Sequence, residues 1–68
     1  MLEHLIPIMA EPRKGHTDDE VVDTLQRIGA TDIKILAEGF ISAKLSKNKF
    51  NDMECIAHVH IKPIHQFL

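Results

Sequence analysis

Three histidines near the carboxyl end, a lone cysteine and a run of acids are the residues of this chain whose types and spacing invite chemistry. His58 and His60 stand two apart, and with His65 they would offer three imidazoles to a metal. No carboxylate or thiolate stands at matching spacing except Cys55, so no metal is expected, and exposed histidines on a binding face are the simpler reading. Asp18, Asp19 and Glu20 have the outward form of paired catalytic acids. They also open a helical pattern, where the positive end of the peptide dipoles attracts acids without any catalysis. Cys55, beside an apolar strand, is expected to be an inert small hydrophobe. Lys44, Lys47 and Lys49 read as a solvated face. A Gly-rich phosphate loop, a nucleophile elbow and a Ser/His/Asp order are all missing from the sequence, so neither an enzyme nor a cofactor is expected.

The elements that must position these residues belong to one small domain. A chain of 68 residues buries only about 60% of the surface that its unfolded form exposes. One cysteine cannot form an internal disulfide, so folding rests on an apolar core, and the hydrophobic share of 44% is enough to build one. A net charge of −2 and a pI near 6.2, with eight scattered Lys and Arg residues, carry no footprint for nucleic acid. The longest wholly apolar stretch, Leu5 to Ala10, is too short to span a bilayer, and Met1-Leu2-Glu3-His4 does not open a leader. A cytoplasmic protein is expected, although a secreted domain whose leader had been replaced by an initiator Met would read the same.

Residues 4–10 read as a first strand, followed by a loop over 11–16 marked by Pro12 and Gly15. Thr17-Asp18-Asp19-Glu20 is a capping box, in which the Thr hydroxyl accepts from the backbone three residues on and Glu20 reaches back. Val21, Leu25 and Ile28, with Val22 beside them, form an apolar stripe at helical spacing, and Gly29 supplies the stop, giving a helix over 17–28. Ile33, Ile35 and Ala37 alternate with Lys34 and Leu36. Glu38-Gly39 suits a tight turn, and residues 40–45 alternate again, which makes a hairpin. Ser46 can cap a short second helix over 47–54, with Phe50 and Met53 on one side, although Asn48, Asn51 and Asp52 are poor helix formers. Residues 55–62 form the last strand. The fold class that follows is α+β: a ferredoxin-like βαββαβ order, with a four-stranded antiparallel sheet and two helices on one face. Pro7, in a central strand, predicts a bulge or an irregular first strand.

Such an arrangement leaves one sheet face uncovered. On the last strand Ala57, Val59 and Ile61 suit the covered side, which places Ile56, His58 and His60 outside. On the first strand either His4, Ile6 and Ile8 point inward and Leu5, Pro7 and Met9 outward, or the reverse. Both assignments leave apolar groups on the open face, the mark of an interaction surface.

Val21 to Gly29, then Gly39-Phe40-Ile41-Ser42-Ala43-Lys44-Leu45-Ser46, then Ile56-Ala57-His58-Val59 with nine residues after them, carry a resemblance. Over nearly its whole length the chain resembles the propeptides of subtilisin-family serine proteases. The hairpin strand is similar to that family's Gly-Phe-Ser-Ala-Lys-Leu type of sequence. The resemblance implies an inhibitor domain over 1–63 whose open sheet face, with Ile56, His58, His60 and Lys62, docks on two surface helices of the protease. It implies further that residues 64–68 form an extended inhibitory tail. Leu68 would fill the pocket before the scissile bond, with Phe67, Gln66, His65 and Ile64 behind it, product-like and with no peptide bond left to cut.

The resemblance thus implies a proteinaceous inhibitor of subtilisin-like serine proteases, either free-standing or excised from a precursor in which it serves as an intramolecular folding chaperone. The expected partner is the protease, with no nucleic acid and no membrane, and the free chain is expected to be a monomer or a weak homodimer. The chain departs from the family where His60, Ile61 and Lys62 replace the acids with which related propeptides cap protease helix N-termini, and at His65, fourth from the end, where the family carries a small or apolar residue. A different class of function is also open, a ferredoxin-like module that dimerises through its sheet and holds a small ligand without any protease target.

Overall fold

A computed structural model of the chain describes residues 4–36 and 39–62. It is an α+β fold, with strands β1 (Leu5–Pro12), β2 (Thr31–Ile35), β3 (Ile41–Ser46) and β4 (Ala57–Ile61), helix α1 (Asp18–Arg27) and a 3-10 helix over Lys47–Met53. The four strands form one antiparallel sheet in the order β2-β3-β1-β4. The two central strands, β1 and β3, supply Ile8, Ala10, Ile41, Ala43 and Leu45 to a core that α1 closes with Val21 and Leu25 and the 3-10 helix with Met53. Both helices therefore cover the same side of the sheet.

Helix α1 begins as its sequence predicts. The Glu20 N–H donates to Thr17 Oγ1 at 3.2 Å, and three acids occupy the first turn, where the dipole favours them. The other half of the box differs. The Glu20 carboxylate is taken by His16, whose Nδ1 lies 2.8 Å from Oε2, so it does not turn back on the cap. At the far end the Ala30 N–H donates to the Leu25 carbonyl at 2.9 Å and the Gly29 N–H to that of Gln26 at 3.3 Å. This Schellman pair requires a left-handed residue between helix and strand, and Gly29 has φ 98°.

The short second helix expected over 47–54 is a 3-10 helix over Lys47–Met53. Ser46 is its cap residue but makes no capping bond. Ser46, a buried residue, instead donates its hydroxyl to Asn48 Oδ1 at 2.6 Å, an exchange of partners typical of short polar side chains that compete with helix. Four of the seven residues over Lys47–Met53 being lysine or asparagine, the segment owes its place to Met53 in the core and Phe50 against it.

Strand β1 contains two prolines and is regular, correcting the expectation of a bulge at Pro7. In the antiparallel ladder each β1 residue turns its backbone polar groups to one neighbour, and alternate residues choose opposite neighbours. Pro7 turns toward β4, where its carbonyl accepts from the Lys62 N–H at 2.9 Å. Its missing donor thus faces the residue just past the last one of β4. Pro12 turns toward β3, whose last partner on β1 is Ala10, so no ladder bond is lost there either. The strand extends through Glu11 and Pro12, which the sequence reads as loop. The irregularity lies in β2: Thr31 pairs with Lys44 and Lys34 with Ser42, three residues against two. Asp32 takes φ 56° there, and the bulge turns Ile33 to the core while Thr31 and Lys34 both face the open side.

Two changes to α1 separate core from cap. Leu25→Ala removes a fully buried side chain and is expected to cost about 2–5 kcal/mol, enough to unfold much of so small a domain. Thr17→Ala is expected to cost about 1 kcal/mol. Urea unfolding followed by circular dichroism measures both, and equal small losses would show that α1 is not part of the core.

Candidate functional site

The open side of the sheet is the candidate site, and register alone fixes its members. One row across the strands runs Thr31, Lys44, Pro7, Lys62; the next runs Lys34, Ser42, Met9, His60; then Glu11 meets His58. Leu5, Pro7 and Met9 are half-buried and lie on this side, whereas Ile6 and Ile8 belong to the core side. That settles the alternative left open by the first strand's period of two. His58 and His60 are exposed, as their position on β4 predicts.

Ile56 does not join them. It is 9% exposed and part of the core, because β4 begins only at Ala57 and the alternation cannot be carried back through the preceding turn. In that turn the Ile56 N–H donates to the Met53 carbonyl at 3.0 Å, and its own carbonyl accepts from the Arg13 N–H at 2.8 Å. The same turn exposes Cys55, which the sequence reads as a small hydrophobe beside the strand. Ile61 keeps the covered side of β4 by register but is 58% exposed: it lies beyond the reach of the helices. Ile35, paired with Ile41 at the other edge, is 55% exposed for the same reason.

Two polar clusters border the face. At the β4 end, Arg13 Nε donates to the Glu54 carbonyl, and its Nη1 lies 3.3 Å from His58 Nε2. The guanidinium thereby ties the loop after β1 to the turn before β4 and fixes the edge on which His58 sits. Where β4 ends, Lys62 Nζ reaches across β1 to Ser42 Oγ at 3.5 Å, and Lys44 Nζ pairs with Asp32 Oδ2 at 3.4 Å. Lys44 is thus on the open face, away from Lys47 and Lys49 on the 3-10 helix. A groove of about 470 Å³ lies between these lysines, with Pro7 and Leu36 among its walls. Among the described residues, no three His, Cys, Asp or Glu side chains gather as a metal set, and no helix is long and apolar enough to cross a membrane.

The expected inhibitory segment, Ile64, His65, Gln66, Phe67 and Leu68, lies outside the described residues, as do Ala37 and Glu38 of the hairpin turn. Backbone bonds hold the residue that precedes each. The Leu36 N–H donates to the Phe40 carbonyl at 2.7 Å and closes the hairpin, with Gly39 at φ 81°. Lys62 completes the β1–β4 ladder, on the open side. The role of Arg13 was not legible from sequence, because its partners are more than forty residues away. The meeting of Lys44 with Lys62 was hidden too, since they flank Pro7 from opposite strands.

No protein-family model, no curated protein and no solved structure matches the chain.

The Arg13 tie makes a local prediction. In Arg13→Ala the ring nitrogen signals of His58 are expected to shift in a long-range ¹H–¹⁵N spectrum while those of His60 hold their positions. Equal displacement of both, or of neither, would show that the guanidinium does not hold this edge.

Proposed function

We propose that the chain is a proteinaceous inhibitor of subtilisin-like serine proteases, docking through its open sheet face and placing residues 64–68 product-like in the active-site cleft. The observation that carries this reading is the one-sided sheet. Its helices cover one face and its other face presents Leu5, Pro7 and Met9 between exposed His58 and His60 and the lysines. The strand order β2-β3-β1-β4 supports the finer, ferredoxin-like description of the fold. So does the placing of both helices against one core.

The proposed mechanism needs no catalysis by this chain. Edge strand β4 ends at Ile61, and Lys62 still bonds to Pro7, so the segment that follows leaves from a fixed edge of the docking face. An extended segment takes affinity from main-chain hydrogen bonds to the cleft and specificity from pockets that receive alternate side chains. Leu68 is assigned to the primary pocket, with Phe67, Gln66, His65 and Ile64 in the subsites behind it. His58, His60 and Lys62 are assigned to the docking face; Ile56, being core, is not.

Inhibition constants against a subtilisin-type protease test the reading, with circular dichroism to follow folding. Leu68→Asp puts an unpaired carboxylate into an apolar pocket and is expected to weaken inhibition by about thirty-fold or more, about 2 kcal/mol. Removing Gln66 to Leu68 is expected to weaken it further, because backbone bonds go as well. The fold should survive both changes. Full inhibition by the shortened chain would exclude the cleft-bound tail and favour a module whose function does not need it. A gain is expected from His60→Glu, which restores an acid where the family carries one: about 0.3–1 kcal/mol, if the partner presents helix N-termini.

A further inference from the structure

We infer that the lysine-lined groove of the open face receives an acidic segment of a partner protein. The inference stands on charge and geometry within the sheet and holds whether or not the chain inhibits a protease. The whole chain carries a net charge of −2, yet acids crowd α1 and lysines crowd the groove, a local sorting of charge. Helix α1 carries Asp18, Asp19, Glu20 and Asp23 against Arg27 alone. The groove is lined by Lys34, Lys44 and Lys62 against Asp32 alone.

The fold does not require that sorting. Lys44 and Lys62 stand on either side of Pro7 in one row, and Lys34 faces Ser42, which Lys62 Nζ also approaches at 3.5 Å. Like charges brought together across a sheet oppose folding. Asp32 relieves this only at Lys44, through an ion pair at 3.4 Å whose two side chains are 50% and 63% exposed, and such an exposed pair is weak. Lys34 and Lys62 have no carboxylate within ion-pair distance among the described residues. The β2 bulge is what turns Lys34 to the groove at all. Apolar Pro7 and Leu36, the latter 37% exposed, stand beside the ammonium groups. Carboxylates carried on a peptide with an apolar side chain between them match both features, the lysines taking the charge and the Pro7–Leu36 surface the side chain.

The test is a titration of the ¹⁵N-labelled full chain with a capped peptide of glutamates flanking one leucine. Saturable shifts centred on Lys34, Ser42, Lys44 and Lys62 are expected, weakening about tenfold or more in the Lys44→Glu, Lys62→Glu double variant. Should that variant unfold, Lys44→Gln, Lys62→Gln serves in its place and is expected to weaken binding severalfold. Lys47→Glu, Lys49→Glu, with charge changed off the groove, is expected to bind as the wild type does. Added salt is expected to weaken binding, as screening of exposed charge requires. The proposal is overturned if the lysine variants of the groove bind undiminished, or if the largest shifts lie elsewhere. It is equally overturned if a peptide with glutamine for glutamate binds as tightly, or if inorganic phosphate alone gives the same shifts at the same affinity.

Discussion

Burial of one side of strands β1 and β3 under Val21, Leu25 and Met53 is the interaction on which the rest of the molecule depends. A chain this short has apolar residues for a single layer of core, and the layer it builds is made of alternate strand residues: Ile8 and Ala10 on β1, then Ile41, Ala43 and Leu45 on β3. Because the strand period is two, choosing those residues as core leaves their neighbours on the other side. The open face follows from how the core is made. At the last residues of the two edge strands the helices no longer reach, which is why Ile35 and Ile61 keep the register of the core and lose its burial.

The same constraint governs where the backbone tolerates irregularity. β1 is central and must bond on both sides, yet it carries two prolines. Each points its ring nitrogen past the end of a neighbouring strand, so the ladder stays whole. The bulge is placed in β2, an edge strand, where an extra residue disturbs one ladder only. It brings Ile33 to the core and Lys34 to the groove. Thus the features that give the open face its character, a regular apolar middle and a basic flank, both trace to strand positions that local sequence could absorb.

Much of this was legible in the sequence. The α1 boundaries follow from Thr17 and Gly29, whose roles are local, and the facing of His58 and His60 follows from alternation on β4. The class of fold, α+β with a four-stranded antiparallel sheet, follows from the order of the periodic segments. Local reasoning failed where a partner was remote or a period was interrupted. Alternation carried through the turn before β4 misplaces Ile56. The regularity of β1 at Pro7 depends on where β4 stops, some fifty residues along the chain, and no local pattern shows it. The lysine cluster needed the register of three strands at once. The 3-10 helix was a matter of degree: its poor formers were visible, but Ser46 bonding Asn48 instead of capping was not.

The central claim is that the covered face holds the fold and the open face does the binding. Methyl cross-saturation in a complex with a subtilisin-type protease, its active serine replaced by alanine, tests it most directly. The account predicts transfer to the methyl groups of Leu5 and Met9, and none to Val22 on α1 or to Ile28 at its C-cap, both beside the core. Transfer centred on α1, or no complex at all, would contradict it.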